Sequence, residues 1–333
     1  MKNIGLATLL ILLLTLNSIN GYSQFSGWKQ KVLEAGASLG SQKLGLTEIL
    51  KKPAAITTSF EDVNQTGAKF PNDIIVKNIQ HLYLLPKAST GGFILCEGFY
   101  EMTAKSYCLK AGTYAPSKGD GYMYAPTLGP QKDIVIAILK SAEKHPEIKQ
   151  NDIQVLLWTI IARARFADYS GQVKLTAIAL LTPIELTKLE GGMLGVLPKS
   201  VMDQAKSKLP DALQDAFEAE NNIRKMVASG NSSFAEMEKY AIIAGMAPAR
   251  ADVPSGIWTL HPNGYYIRYF PYGYATTQVQ IYVPTGLITA AKPVIYDATN
   301  DIACPANTGS QRLAQTNEPL KPDYTIKLKI NCK

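Results

Sequence analysis

The 333-residue chain carries 34 Lys and Arg against 27 Asp and Glu, a net charge of +7, and 46% of its residues are hydrophobic. The basic residues are scattered rather than clustered, which argues against nucleic acid as a partner. The hydrophobic share is ordinary for a globular protein, and the length suits one large domain or two smaller ones.

Residues 1–24 are typical of a secretion signal. Lys2 supplies the positive start, Leu6–Leu16 is a short apolar run, and Gly21 and Ser23 are small residues near its exit. The apolar run is about half of the roughly 20 residues that a spanning helix needs. We therefore expect cleavage near residues 21–24 and a mature protein that is secreted or periplasmic and does not span a membrane.

The chain has four cysteines, Cys96, Cys108, Cys304 and Cys332. An even count in an exported chain predicts disulfides, and the sequence distances favour the pairs Cys96–Cys108 and Cys304–Cys332. Packed, reduced thiols are the alternative for the first pair. The histidines lie far apart and no CxxC spacing occurs, so we predict neither a metal site nor a cofactor.

The first third of the chain contains one readable strand and one unusual segment. Phe93–Cys96 is predicted to be a short strand. Ala111–Pro130 is rich in Gly and Pro and also carries Tyr114, Tyr122 and Tyr124. Loops of about twenty residues in compact domains are more often functional than accidental, so the three tyrosines are candidate binding residues.

The middle of the chain is predicted to be helical. Apolar residues at helical spacing predict helices over 131–144 and 151–166. Thr182-Pro183-Ile184-Glu185 has the cap, proline and glutamate of a helix start. Further helices are expected at about 197–208, 210–229 and 232–245.

After residue 251 the pattern changes to alternating strands. The predicted strands are Gly256–His261, Gly264–Phe270, Thr276–Val283, Lys292–Tyr296 and Tyr324–Ile330, with Asn263-Gly264 as a hairpin turn. We therefore predict an α+β protein: a signal peptide at 1–24, a helix-rich domain with a short β element at 25–250, and a small antiparallel β domain at 251–333. A Cys304–Cys332 bridge would brace a domain of that size.

Two short motifs stand out on these elements. Tyr107-Cys108-Leu109 opens into the Gly/Pro segment, and Gln154-Val155-Leu156-Leu157-Trp158 lies at the start of the second helix. Gln154 and Trp158 are four residues apart and share one side of that helix. Gln154 adjoins the apolar stripe, so its amide needs a partner if it is buried. Trp158 is a candidate binding residue, with core packing as the alternative.

The motifs resemble the thioester domains of surface adhesins from Gram-positive bacteria. Those domains have an aromatic-Cys pair before a loop and a later helix that opens Thr-Gln-x-Ala-Ile-Trp. The resemblance covers roughly residues 90–165, with Ile153 and Leu156 in place of the threonine and alanine. It implies that the Cys108 thiol attacks the side-chain carbonyl of Gln154, that ammonia leaves, and that a target amine then attacks the resulting internal thioester.

Two other function classes stay open. Cys108 with His145 as its base would make a cysteine hydrolase acting on peptides or cell-wall material, although no third, orienting residue is identifiable. The second class is a structural envelope protein braced by two disulfides. The state of Cys108 would discriminate the three classes. A bond to Gln154 favours adhesion, a bond to Cys96 favours the structural protein, and a free thiol near His145 favours the hydrolase. The leading interpretation is a binding or adhesion protein rather than an enzyme, with a surface protein or glycan as its target.

Overall fold

The computed structural model describes residues 49–50, 52–63, 75–189, 196–209, 211–250, 252–288 and 293–320. The predicted signal segment, the predicted strand Tyr324–Ile330 and Cys332 lie outside these residues. The chain from Lys52 to Lys333 forms one compact unit, and the account below concerns its described part.

The strands of the described residues belong mostly to one antiparallel sheet. They are β1 (Gln80–His81), β2 (Phe93–Ile94), β3 (Gly98–Cys108), β4 (Thr113–Tyr114), β5 (Tyr122–Pro126), β6 (Ile242–Ile243), β7 (Thr259–Leu260), β8 (Tyr266–Tyr272), β9 (Thr276–Val283), β10 (Ile295–Tyr296), β11 (Asp301–Pro305) and β12 (Leu313–Pro319). The main sheet has the order β5-β11-β12-β3-β9-β8-β7, with β1 parallel to β3. β5 also contacts β8, so the sheet is nearly closed into a barrel. Smaller sheets pair β10 with β2 and β4 with β6.

The helices follow one another between β5 and β6 in the chain. They are α1 (Lys132–Ala142), α2 (Gln150–Ile161), α3 (Gly171–Leu180), α4 (Pro183–Lys188), α5 (Lys199–Lys206), α6 (Asp211–Ala228) and α7 (Phe234–Ala241). α4 begins with the predicted capping box, in which Thr182 and Glu185 bond each other's backbone N–H groups. α2 packs against α3, α6, α7 and β3. Within the described part of the chain, no helix is long and apolar enough to cross a membrane.

β3 is the long strand at the centre of the sheet, and its side chains alternate. Tyr100, Met102 and Ala104 are buried, whereas the alternate residues Glu101, Thr103 and Lys105 are partly exposed. This period of two is what a strand with one buried face requires. The alternation ends at Lys105, and the last three residues, Ser106–Cys108, are all buried.

The predicted α+β class is confirmed, but the predicted division near residue 250 is wrong. β9 pairs with β3 along Gly98–Lys105, β12 pairs with the end of β3, and β11 pairs with β5. Strands from both sides of residue 250 therefore share one sheet. The local pattern showed where strands occur after residue 251, but pairing between strands distant in sequence leaves no local signal.

The predicted long loop Ala111–Pro130 is also corrected, because it contains β4 and β5. Tyr122, Met123, Tyr124 and Ala125 of β5 are all buried. A strand that is covered on both faces has no apolar–polar alternation, which explains why the sequence pattern did not reveal it.

Candidate functional site

The candidate site lies where strand β3 ends in the core. β3 pairs with β9 from Gly98 to Lys105 and with β12 from Ala104 to Cys108. Along Ser106–Cys108 it therefore has a strand on one side only. The backbone groups that face the other side need different partners, because buried N–H and C=O groups without hydrogen bonds are costly.

Two glutamines of α2 supply those partners. Gln150 Nε2 donates to the Ser106 carbonyl at 3.1 Å and to the Ala275 carbonyl at 2.7 Å. Gln154 Oε1 accepts from the Cys108 N–H at 2.8 Å, and Gln154 Nε2 donates to the Cys108 carbonyl at 3.2 Å. The spacing of the two glutamines on α2 matches the spacing of the residues that they bond on β3. Four residues of helix rise about 6 Å, and two residues of strand rise about 6.8 Å. α2 thus extends the free edge of β3 with side-chain amides.

The structure brings together the two residues that the motifs singled out. Cys108 is 0% and Gln154 is 2% exposed, so their contact is shielded from water. The Cys108 N–H bonds Gln154 Oε1, the atom that gains negative charge when an amide carbonyl is attacked. The amide lies along the strand edge, whereas strand side chains stand perpendicular to the sheet. A bond from Sγ to Cδ therefore requires the amide to shift toward the thiol.

The thiol of Cys108 lies among groups that keep it protonated. Burial and, secondly, the negative charge of Glu238 raise the pKa of the Cys108 thiol well above its usual value. Burial also raises the pKa values of Tyr122 and Tyr274, and the charge of Cys108 contributes to both shifts. At neutral pH such a thiol reacts only when a base removes its proton.

His145, the alternative base, lies in the turn between α1 and α2. Its Nδ1 is 2.8 Å from Glu147 Oε1, and its side chain is 36% exposed. This is a surface contact between two exposed or half-exposed side chains, a kind that contributes little to stability. The contacts of His145 therefore favour a role at the surface rather than as the base for the buried Cys108 thiol.

Trp158 lies one helical turn after Gln154 and is fully buried. Its ring stacks on that of Phe234 in α7, with ring centroids 5.4 Å apart. The structure thus places Trp158 in the core, where it fixes α7 against α2, and not on a binding surface.

The three candidate binding tyrosines do not share a surface. Tyr122 is buried and its hydroxyl donates to the Gln311 carbonyl at 2.7 Å. Tyr124 is buried with its ring edge on to His261 at 4.4 Å between centroids. Tyr114 is partly exposed in β4. Tyr122 matters to the site through its position beside Cys108 rather than through ligand contact.

The cysteines also differ from expectation. Cys96 is disulfide-bonded, whereas Cys108 and Cys304 are buried free thiols. Both predicted pairings, Cys96–Cys108 and Cys304–Cys332, are therefore wrong, since each requires a cysteine that is free. Burial raises the pKa of the Cys304 thiol to about 12, which makes it unreactive at neutral pH.

Gln150, Glu238 and Tyr274 are site residues that the motifs did not reveal. Gln150 had a usable signal, because it precedes Gln154 by one helical turn on the same face. Glu238 and Tyr274 reach the site from α7 and from the turn between β8 and β9, so no sequence spacing connects them to Cys108.

Among the described residues, no three His, Cys, Asp or Glu side chains come together as a metal site requires. The chain matches no family model, no curated protein and no solved structure. The geometry of the site and the motif resemblance are therefore the grounds on which a function is proposed.

Proposed function

We propose that the protein is an exported adhesion or binding protein of the cell envelope or exterior, in which Cys108 and Gln154 form an internal thioester. The observation that carries the proposal is the buried amide of Gln154, held by both backbone groups of Cys108. Effective reaction between two groups requires that they be held together in advance. The motif resemblance supports the same pair, and the predicted export signal is the ground for the proposed location.

Thioester formation has a simple balance of atoms. A bond forms between Cys108 Sγ and Gln154 Cδ, the bond from Cδ to Nε2 breaks, and the thiol proton leaves with the nitrogen as ammonia. The N–H of Cys108 stabilises the developing charge on Oε1. The hydrogen bond from Nε2 to the Cys108 carbonyl is lost with the leaving group.

The target would be a primary amine on a surface protein or glycan. The amine attacks Cδ, the thiol of Cys108 leaves with a proton, and a stable amide joins Gln154 to the target. Burial of Cys108 and Gln154 supports a sheltered bond that resists hydrolysis. We expect attack to follow a local opening around α7, because the resting site excludes solvent.

A purely structural role for Gln154 is the alternative that a specific observation favours. Gln150 makes the same kind of contact with the β3 edge, and no cysteine is involved there. Under this alternative, Gln154 completes the strand edge and Cys108 is a packed thiol. The chemical reactivity of the pair separates the two roles.

Labelling with methylamine tests the proposal. The folded protein should take up one methylamine, and peptide mapping should place it on Gln154. Cys108→Ala should abolish the label, whereas Cys304→Ala, which removes the other buried thiol, should not. Absence of label in the wild-type protein, even under mild destabilisation that opens the site, would leave only the structural role.

A further inference from the structure

The proposed reaction requires a proton transfer for which Glu238 and Tyr274 are placed. The thiol must lose a proton as Sγ attacks, and the nitrogen must gain one as ammonia leaves. Neither Cys108 nor Gln154 has a second group that can accept and return that proton. A base is therefore needed beside them.

Glu238 of α7 and Tyr274 of the β8–β9 turn are joined by a hydrogen bond from the Tyr274 hydroxyl to Glu238 Oε1. The turn is fixed beside β3, because Ser106 Oγ donates to the Tyr274 carbonyl at 2.8 Å and Ser106 N–H to the Ala275 carbonyl at 2.9 Å. Ser106 precedes Cys108 by two residues and lies on the same face of β3. The backbone of Tyr274 is thereby held beside Ser106, two residues before Cys108.

α7 is fixed from the other side of the site. Phe234 at its start stacks on Trp158 of α2, and the Ala241 carbonyl at its end accepts from the Gly112 N–H at 2.9 Å. Glu238 lies one turn after Phe234, just as Gln154 lies one turn before Trp158. The same helix contact therefore positions Glu238 and Gln154 around Cys108.

The charges around the thiol are few. Among the described residues, the carboxylate of Glu238 is the group whose charge acts on Cys108. Tyr122 faces the thiol from β5, but its hydroxyl already donates to the Gln311 carbonyl. On α7 itself, Glu236 and Lys239 pair with each other at the surface. Glu238, with Tyr274 bonded to it, is thus the base available to the buried thiol.

We propose that Glu238 and Tyr274 carry the proton from Cys108 Sγ to Gln154 Nε2 during thioester formation. Glu238 accepts the proton as the bond from Sγ to Cδ forms, and the proton passes to Nε2 as the bond from Cδ to Nε2 breaks. No oxidant or other reactant is consumed, and ammonia is the product. This inference rests on the proposed thioester and adds the residues that make its formation fast.

Re-closure, the re-formation of the thioester after ammonia has cleaved it, tests this assignment. Ammonia at alkaline pH restores the thiol and the glutamine, and after its removal the mass should fall again by about 17 Da as the bond re-forms. Glu238→Gln should slow re-closure by about 100-fold or more, the usual effect of losing a general base. Tyr274→Phe, which deletes one oxygen, should slow re-closure on the order of tenfold.

Glu236→Gln and Tyr272→Phe are matched controls on the same elements and should re-close at the wild-type rate. Glu238→Asp, which keeps the charge, should recover part of the rate. Wild-type rates of re-closure in both Glu238→Gln and Tyr274→Phe would overturn the relay and leave the thioester standing. A wild-type protein that neither loses the mass nor binds methylamine would overturn both.

Discussion

At the scale of single residues, Gln154 has two roles that can be measured separately. Its amide satisfies a buried N–H and a buried C=O of Cys108, whatever the chemistry. Leaving a buried polar group unpaired costs about 1–3 kcal/mol. Gln150 bonds the same edge, but it is partly exposed, so water can replace its contacts.

We therefore expect Gln154→Ala to lower the free energy of unfolding by about 2–6 kcal/mol, the sum for two groups. The matched substitution Gln150→Ala should lower it by about 1 kcal/mol or less. Urea denaturation of both variants, in the Cys108→Ala background so that no thioester contributes, measures the difference. Equal losses would contradict the buried, doubly bonded position of Gln154.

Asp301 and Asp297 should give the stability opposite dependences on pH. Burial raises the pKa of Asp301, and the contact with His261 Nε2 at 3.5 Å opposes this only in part. Burial also opposes ionisation of Asp297, but hydrogen bonds from Asn317 and Thr299 prevail and lower the pKa of Asp297. Asp301 therefore favours the folded state when protonated, and Asp297 favours it when ionised.

As the pH rises above about 4, the ordinary pKa of an Asp, the wild-type protein loses the contribution of Asp301 as that carboxyl ionises. Asp301→Asn should therefore become more stable relative to wild type over this range. The stabilising contribution of Asp297 begins at lower pH and is retained, so Asp297→Asn should show a persistent deficit that shrinks only in acid. Denaturation at several pH values checks both slopes, and slopes of the same sign would refute this assignment.

At the scale of secondary-structure elements, the disulfide of Cys96 ties the end of β2 to another part of the chain. Cys108 and Cys304 are free, and the chain has four cysteines. The partner of Cys96 is therefore neither Cys108 nor Cys304. A non-reducing peptide map should identify the peptide linked to Cys96, and Cys304→Ala should leave the map unchanged.

Loss of this bridge should be costly, because removing a native disulfide from a small secreted domain typically costs about 2–5 kcal/mol. Cys96→Ser should therefore lower the free energy of unfolding more than Cys304→Ala does, by about 2–5 kcal/mol. A map that links Cys96 to Cys108 would contradict both the disulfide assignment and the thioester.

The elements that could be predicted from the sequence are those with strong local patterns. α1, α4 and β9 have clear periodicity or caps, and Asn263-Gly264 does form the turn between β7 and β8. β5, β11 and β12 were not predicted, because strands covered on both faces lack alternation. For the site, Cys108 and Gln154 were recognisable from their motifs, whereas Glu238 and Tyr274 depend on the packing of α7 and of a hairpin turn.

At the scale of the whole molecule, the shared sheet makes residues 252–333 depend on the rest of the chain. In an isolated fragment, β9 would lack its neighbouring strand β3 and β11 would lack its neighbour β5. Strand edges and apolar faces would therefore be exposed. We expect fragment 252–333 to be unfolded by circular dichroism, whereas fragment 52–333 should unfold in one cooperative transition. A cooperative transition in the short fragment would restore the two-domain division.

The central claim concerns one covalent bond, and the intact mass of the untreated mature protein tests it most directly. Loss of ammonia predicts a mass about 17 Da below that of the sequence with its disulfide, and the Cys108→Ala variant should show no such deficit. N-terminal sequencing of the same sample fixes where the chain starts and so the mass to compare. A wild-type mass equal to that of the unmodified chain, with Cys108 alkylated quantitatively after unfolding, would contradict the thioester.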